Sequence, residues 1–273
     1  MKEPDHWQTA IPSTLQRLVG QPSLGLVTDL DGTISPIVAD PDAAQVTPRN
    51  RDLLRALQPY LALVAVISGR AVTDTRDRVN LPGLIYVGNH GLEWWAGDWI
   101  EIVPEARAYR PALEAALREI QSAQVAGLRI EDKGVTLSIH YRQTADPHGF
   151  EAAYLPTILA IATRHSLKLV QGRMVFELRP PLAINKGSAF FRLVQHDQLH
   201  AALYLGDDTT DADALIMARR MRQDGTCDAL GLAVVSDDTP KSVRDSADLF
   251  LSGVSDVEAF LSWLLSARKA SST

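Results

Sequence analysis

The stretch Leu26-Val27-Thr28-Asp29-Leu30-Asp31-Gly32-Thr33 decides the fold of this chain. It begins as an apolar run typical of a strand, then places two carboxylates two residues apart before a glycine at which the chain is expected to turn. Two acids crowded at a strand end cannot both stay ionised in a low-dielectric site without a cation or a proton between them. The stretch therefore predicts a chemically active strand end, with an ordinary solvated turn as the alternative.

Composition limits the class of protein. The 273 residues carry a formal net charge of −6 and are 46% hydrophobic, enough for a substantial core in one large domain or two modest ones. The negative charge argues against a nucleic-acid groove or an anionic membrane surface, because both require clustered Lys and Arg. Cys227 is the single cysteine, which excludes an intramolecular disulfide and a multi-cysteine metal site.

The sequence also indicates where the protein acts. Residues 1–6 lack the charged-then-apolar layout of a signal peptide, and no run approaches the roughly 20 apolar residues that span a bilayer. We therefore expect a soluble cytoplasmic monomer whose partner is a small molecule, with no nucleic acid and no membrane.

Apolar runs alternate with helical patterns on both sides of a different central region. After the Asp29 strand, buried strands are predicted at 61–67, 84–87, 202–205 and 230–235. From about residue 105 the order becomes helix, hairpin, helix, hairpin, which is typical of an antiparallel α+β domain. The sequence thus predicts an α/β fold: a doubly wound parallel-sheet core of residues 1–103 and 181–273, with an α+β domain of residues 104–180 inserted. The tail from Arg268 is expected to fray.

Four motifs stand at the margins of these predicted elements. They are Asp29 and Asp31 with Gly32-Thr33, then Ser68, Lys186, and the group Asp207, Asp208 and Asp211. Singly, they have ordinary interpretations as turns, a loop serine and a solvated lysine at a helix start. Phosphoryl transfer to a carboxylate requires this combination: a nucleophilic acid, a second acid for proton transfer, donors and a Lys for the phosphoryl oxygens, and further acids for Mg²⁺. Mg²⁺ prefers oxygen ligands, so a site that is rich in Asp and poor in Cys suits Mg²⁺ better than it suits zinc.

In this order the motifs resemble those of the haloacid dehalogenase superfamily of phosphatases. Within it, the chain is similar to the trehalose-6-phosphate phosphatase family from about Leu24 to Leu265. The closer points are Asp29 to Ile37, Ser68-Gly69-Arg70, Gly88-Asn89-His90-Gly91, Glu131-Asp132-Lys133, His140-Tyr141-Arg142, Glu177-Leu178-Arg179-Pro180, Asn185-Lys186-Gly187 and Gly206-Asp207-Asp208-Thr209-Thr210-Asp211. The resemblance implies a haloacid-dehalogenase-like Rossmannoid core, and it implies that the insert is a cap that excludes water and selects the leaving group.

The resemblance also implies an activity, the hydrolysis of trehalose 6-phosphate in trehalose biosynthesis. Asp29 would be the nucleophile and Asp31 the general acid and base, with Thr33 orienting Asp31. Ser68 and Lys186 would bind the phosphoryl group. The implied Mg²⁺ ligands are the Asp29 carboxylate, the Asp31 backbone carbonyl and Asp207, with Asp208 and Asp211 as direct or indirect ligands.

Substrate specificity would depend on residues that bind the sugar hydroxyls. The resemblance implies Glu131, Lys133, Arg142 and Glu177 in the cap, and Arg70 and His90 in the core. The alternatives are a polar hairpin turn for Glu131-Asp132-Lys133 and a local ion pair for Arg142. Where the family commonly has Gly-Lys, this chain has Gly172-Arg173, and arginine presents a planar fork rather than a compact ammonium.

Three other hypotheses stay open at this point. The same chemistry could serve another substrate, such as sucrose 6-phosphate or a glucosylglycerol phosphate, because the core determines the reaction and the cap determines the leaving group. A non-catalytic sugar-phosphate sensor on this fold is a second hypothesis, although such a protein could lose Asp31 or Asp207 and both are present. A scaffold that works with a synthase has no sequence feature in its favour.

Overall fold

A computed structural model describes residues 4–38, 40–97, 99–121, 125–172, 174–237 and 239–271. It divides into two compact units, the core unit (Met1–Glu101 with Ile184–Thr273) and the insert unit (Ile102–Ala183). Their expected roles as catalytic core and substrate-specificity cap, with boundaries near 104 and 180, stay a prediction. Among the described helices, none combines the length and the apolar character that crossing a membrane requires.

The strands and helices of the described residues follow in chain order. The strands are β1 (Asp5–His6), β2 (Leu24–Thr28), β3 (Leu63–Ile67), β4 (Ile85–Gly88), β5 (Glu93–Ala96), β6 (Trp99–Ile102), β7 (Arg129–Asp132), β8 (Leu137–His140), β9 (Lys168–Gly172), β10 (Val175–Arg179), β11 (Ala201–Gly206), β12 (Asp228–Val234) and β13 (Leu249–Leu251). The α-helices are α1 (Gln16–Val19), α2 (Pro48–Leu57), α3 (Val72–Val79), α4 (Pro104–Arg107), α5 (Arg110–Gln121), α6 (Pro147–Arg164), α7 (Lys186–His196), α8 (Ala212–Gln223), α9 (Lys241–Ser246) and α10 (Val254–Ser271).

The large sheet has the strand order β1-β13-β12-β11-β2-β3-β4-β5-β6. Its strands are parallel from β1 to β4, and β5 is antiparallel to β4. At the centre Leu26 pairs with Leu203 on one side and Val64 on the other. Strands β2, β3 and β11 are buried along their whole length, which explains why their sequences are almost entirely apolar.

Helices cover both faces of this sheet. One apolar cluster joins it to α2 and α10 through residues such as Leu54 and Phe260. The other joins it to α7 and α8 through residues such as Phe190 and Leu215. The prediction of a doubly wound parallel-sheet core is therefore confirmed.

The insert unit contains a separate antiparallel sheet with the order β7-β8-β10-β9. Its apolar side chains, among them Leu137, Ile139 and Phe176, form one cluster with Leu113 of α5 and Ile158 of α6. Since side chains alternate along a strand, the intervening polar residues lie on the opposite face. The predicted α+β character of this region is confirmed.

The prediction that the tail frays from Arg268 is wrong. Helix α10 continues to Ser271, and the Arg268 side chain is buried. Its guanidinium donates to the carbonyl oxygens of Val19, Gln21 and Tyr60 at 2.5, 2.7 and 2.9 Å. These acceptors lie some two hundred residues earlier in the chain, so local composition did not indicate them.

Candidate active site

The core-unit motifs lie at the carboxyl ends of four adjacent parallel strands. In the order β11, β2, β3 and β4, these strands are followed by Asp207, Asp29, Ser68 and Asn89-His90. The amide of Asp29 continues the ladder by donating to Leu205 O at 2.8 Å. Carboxyl ends of parallel strands are where open α/β sheets bind ligands.

Lys186 lies between two buried carboxylates. Its ammonium is 2.9 Å from Asp29 Oδ1 and 2.8 Å from Asp211 Oδ1. The lysine is the first residue of α7, whose start is fixed because Asn185 and Ser188 form a capping box. Burial opposes the charge of Lys186, but the charges of Asp211 and then Asp29 outweigh it and raise the lysine pKa above its usual value. The site thus holds a permanent cation against Asp29.

Three acids form a compact cluster around this point. One carboxylate oxygen from each of Asp29, Asp207 and Asp211 lies within 4.8 Å of the other two. Burial, followed by the charge of Asp211, raises the pKa of Asp29 to about 8. Burial, followed by the charge of Asp29, raises the pKa of Asp207 to about 9. Crowded buried acids of this kind favour a bound cation, and an all-oxygen donor set fits Mg²⁺.

Asp31 has a different partner from Asp29. Arg70 donates to both of its oxygens, from Nε at 2.6 Å and from Nη2 at 2.9 Å. Arg70 also donates to Asp74, which accepts a further hydrogen bond from Arg78 at 2.8 Å. Thus Arg70, expected to bind substrate, contacts the expected general acid. The two acids of the first motif face different groups because β2 ends before them.

Gly32 and Thr33 bring the first motif against Asp207. Gly32 has φ +78°, and a Cβ added there would lie 2.0 Å from Asp207 Oδ2. The Thr33 hydroxyl is buried and donates to Asp207 Oδ1 at 3.5 Å. Thr33, expected to orient Asp31, therefore contacts the neighbouring acid of the cluster.

Ser68 follows β3 and His90 follows β4, and the two segments contact each other through a hydrogen bond and a ring contact. The amide of His90, a residue with φ +59°, donates to Ser68 O at 2.9 Å. The Ser68 hydroxyl accepts from the amide of Arg70 at 3.2 Å. The His90 ring lies against Gly69, where an added Cβ would be 2.6 Å from its Cε1 atom. Gly69 is thus required for the close approach of these loops.

Two of the expected site residues of the insert unit lie on the polar face of its sheet. Glu131 and Glu177 are both in register with Ser138, so they lie on one face with one strand between them. Lys133 Nζ is 3.7 Å from Glu177 Oε1. Arg142 follows β8 and is half-buried.

Each of these two acids also has a basic neighbour that was not among the expected site residues. Arg179 Nε donates to Glu177 Oε2 at 2.7 Å. His140 Nε2 is 3.2 Å from Glu131 Oε2, and this hydrogen bond holds the pKa of Glu131 below its usual value. Arg173, the departure from the family pattern, lies outside the described residues.

Comparison with known proteins identifies the family of this chain. A family model described as trehalose-phosphatase matches residues 27–254. The chain belongs to the trehalose-phosphatase family. A trehalose-phosphate phosphatase from Mycobacterium marinum is 38% identical over 227 residues, which are 77% of this chain and 56% of that protein. The chain therefore spans about half the length of the curated relatives that it matches.

Solved structures of other proteins share the fold. The C-terminal domain of C. albicans trehalose-6-phosphate phosphatase is 22% identical, with a TM-score of 0.80, and the match covers 97% of this chain and 98% of that one. A haloacid dehalogenase-like hydrolase from Bacteroides thetaiotaomicron is 16% identical, with a TM-score of 0.62 and coverage of 89% and 99%. The haloacid-dehalogenase-like fold expected of this trehalose-phosphatase family member is confirmed.

The structure adds site residues that sequence reasoning missed. Asp74, His140, Arg179 and Tyr204 each contact an expected site residue. The sequence held a signal for three of them: His140 and Arg179 stand in stretches that carry the family resemblance, and Tyr204 places a hydroxyl in an otherwise apolar strand. Asp208 is exposed, and its amide donates to Asp211 Oδ2 at 3.0 Å. Its expected place near the metal stays a prediction.

Proposed function

We propose that this protein is a phosphatase that hydrolyses trehalose 6-phosphate to trehalose and phosphate through an aspartyl-phosphate at Asp29. The observation that carries the proposal is the buried Asp29 carboxylate paired with the Lys186 ammonium beside Asp207 and Asp211. This arrangement supplies a nucleophile, and it places positive charge where phosphoryl oxygens would gather. The names of the curated relatives support the substrate.

In the first step an Asp29 carboxylate oxygen attacks phosphorus, and the bond from phosphorus to the sugar oxygen breaks. The departing oxygen takes the electron pair of that bond and a proton from Asp31. Lys186 and Ser68 would bind the phosphoryl oxygens throughout the step. Arg70 donates one hydrogen bond to each oxygen of Asp31, which leaves each oxygen a second lone pair that can take a proton.

In the second step Asp31 acts as the base. It removes a proton from water, the water oxygen attacks phosphorus, and the bond to Asp29 breaks with its electron pair returning to the carboxylate. Phosphate leaves, and Asp31 is again protonated for the next turnover. The pair of steps needs Asp29 ionised and Asp31 able to exchange a proton. The Lys186 ammonium beside Asp29, together with the proposed Mg²⁺, would favour the ionised form of Asp29.

We also propose that the site requires Mg²⁺. The carboxylates of Asp29 and Asp207 would hold it together with the backbone carbonyl of Asp31, with Asp208 and Asp211 nearby. When bound, the ion supplies positive charge that keeps the clustered acids ionised and offsets the charge of the phosphoryl oxygens. The raised pKa values of Asp29 and Asp207 support this need for a cation.

The polar face of the insert sheet is proposed to select the sugar. Ionised carboxylates such as Glu131 and Glu177 accept hydrogen bonds from hydroxyl groups, and Lys133 can donate one. His90, Arg70 and Arg142 are proposed to support binding as the family resemblance implies.

We further propose that the protein acts as a cytoplasmic monomer, which light scattering and cell fractionation would test.

The experiment is a panel of substrates assayed for phosphate release with and without Mg²⁺. Trehalose 6-phosphate is compared with sucrose 6-phosphate, a glucosylglycerol phosphate and p-nitrophenyl phosphate, with Asp29→Asn as the control that should lose about a thousandfold or more. The substrate claim fails if trehalose 6-phosphate is hydrolysed no faster than p-nitrophenyl phosphate. If the wild type binds trehalose 6-phosphate but releases no phosphate, the sensor hypothesis replaces the enzyme.

A further inference from the structure

Tyr204 is a buried polar residue directly behind the site. It lies in β11, is fully buried, and is flanked in that strand by apolar residues. Its ring packs on Phe190 of α7 with centroids 5.2 Å apart. Its hydroxyl donates to Asp211 Oδ1 at 2.6 Å. Phenylalanine would fill nearly the same space without burying a polar atom. The buried hydroxyl therefore indicates that its hydrogen bond has a role beyond packing.

The hydroxyl completes the set of donors that hold Asp211. Asp211 Oδ1 accepts from Tyr204 and also from the Lys186 ammonium at 2.8 Å, while Oδ2 accepts from the amide of Asp208 at 3.0 Å. The carboxylate is therefore fixed from three directions. Both of its oxygens are engaged by protein donors, whereas Asp29 and Asp207 are the acids on which the proposed Mg²⁺ site depends.

The fixed Asp211 carboxylate determines where the Lys186 ammonium lies. Its ammonium has Asp211 on one side and Asp29 on the other, at 2.8 and 2.9 Å. If Asp211 were free to rotate, the ammonium would follow it and would lose its fixed distance to Asp29. A long lysine side chain has several rotatable bonds, so an anchored partner is what restricts it to one position.

We propose that Tyr204 is a positioning residue: its hydroxyl orients Asp211, and Asp211 in turn holds the Lys186 ammonium where the phosphoryl group binds. This inference rests on the proposed phosphatase function. It predicts that loss of the hydroxyl weakens binding of the phosphoryl group whatever leaving group the substrate carries, because the insert unit and the sugar take no part in it.

The test compares Tyr204→Phe with Tyr86→Phe. Tyr86 is a matched control, since it is another buried tyrosine of the same sheet whose hydroxyl donates to Leu81 O at 2.6 Å. Titration calorimetry with inorganic phosphate in the presence of Mg²⁺ is expected to show a Kd about tenfold higher for Tyr204→Phe and unchanged for Tyr86→Phe. The kcat is expected to fall about tenfold for both trehalose 6-phosphate and p-nitrophenyl phosphate.

Two further variants separate positioning from packing. Phe190→Leu loosens the ring contact but keeps the hydroxyl, so it should lower the melting temperature without changing the Kd for phosphate. Introducing Tyr204→Phe into Asp211→Ala should add nothing to the loss caused by Asp211→Ala, because that background no longer has the side-chain acceptor through which the hydroxyl acts.

The inference is overturned if Tyr204→Phe binds phosphate as the wild type does, or if the losses in the double variant add. It is also overturned if phosphate binding weakens in proportion to the melting temperature in both Tyr204→Phe and Phe190→Leu. A wild type that releases phosphate from no substrate refutes the proposed function instead, and that result is read before the variants are compared.

Discussion

Gly32 holds a conformation that a side chain would disturb for two reasons. Its φ of +78° lies in the left-handed region, and a Cβ would lie 2.0 Å from Asp207 Oδ2. We predict that Gly32→Ala displaces Asp207 and weakens Mg²⁺ binding by about tenfold or more, because Asp207 is a proposed ligand of the ion. Calorimetric titration with Mg²⁺ measures this effect.

Gly225→Ala is the matched control for that substitution. Gly225 has a similar φ of +75°, but nothing lies within 4 Å of an added Cβ. It should show the backbone strain alone, of about 1–2 kcal/mol, with unchanged affinity for Mg²⁺. Equal affinities in the two variants would contradict the role given to the contact between Gly32 and Asp207.

Protonation of the acid cluster should make Mg²⁺ binding depend on pH. Burial, with repulsion from neighbouring carboxylates, raises the pKa of Asp29 to about 8 and of Asp207 to about 9, so we expect both acids to be mostly protonated at pH 6.5 in the absence of the metal. Mg²⁺ has to displace these protons. We therefore predict that its affinity rises between pH 6.5 and 9 and then levels off.

Calorimetry at pH 7 in two buffers of different ionisation enthalpy would show the released protons directly. A Kd for Mg²⁺ that is the same at pH 6.5 and pH 8.5 would refute the raised pKa values. Asp207→Asn is a useful comparison, since it removes one of the two titrating groups and should reduce proton release.

At the scale of elements, β10 places a carboxylate and its cation on one face. Glu177 and Arg179 are two residues apart, so their side chains lie on the same side of the sheet, and Arg179 holds the carboxylate. We predict that Arg179→Met raises KM for trehalose 6-phosphate about tenfold and leaves kcat for p-nitrophenyl phosphate unchanged, because only the sugar contact is lost.

Arg164→Met provides the control within the same unit. Arg164 pairs with Glu119 on the exposed side of α6, and exposed pairs contribute little. It should leave both kinetic constants unchanged. An Arg179→Met enzyme that loses activity equally on both substrates would place Arg179 in the chemistry or in general stability, not in sugar selection.

At the scale of the whole molecule, Arg268 joins the end of the chain to its beginning. The buried guanidinium satisfies the carbonyl oxygens of Val19, Gln21 and Tyr60. We predict that Arg268→Ala lowers the free energy of unfolding by about 2–4 kcal/mol, because these acceptors lose their donor inside the protein. The kcat should not change, and urea unfolding measures the difference.

Lys269→Ala is the neighbouring control. Lys269 is exposed on the same helix turn, and its ammonium lies 5.8 Å from the centre of the Tyr60 ring, so its removal should change the free energy of unfolding by less than about 1 kcal/mol. A similar loss of stability in both variants would show that helical propensity at the end of α10 matters more than the buried hydrogen bonds.

Much of the fold was predictable because its signals are local. The runs before Asp29, Ser68 and Asp207 are almost entirely apolar, as expected of strands buried on both faces, and each is followed by polar or glycine residues. The start of α7 was equally clear from Asn185-Lys186-Gly187. The buried end of α10 was not predictable, since a short polar tail looks the same whether its arginine finds partners or not.

By itself the sequence determined the order of the motifs, the parallel core and the α+β insert, because burial and turn chemistry depend on residues close together in the chain. Only the tertiary structure decided the partner of each charged group. Asp31 pairs with Arg70 and not with the acid cluster, and Asp211 takes donors from Tyr204 and Lys186. Asp31 and Arg70 are 39 residues apart and Tyr204 and Asp211 only 7, but every one of these pairs joins two different elements or loops. The pairs depend on side-chain directions that are set only when the strands and helices pack.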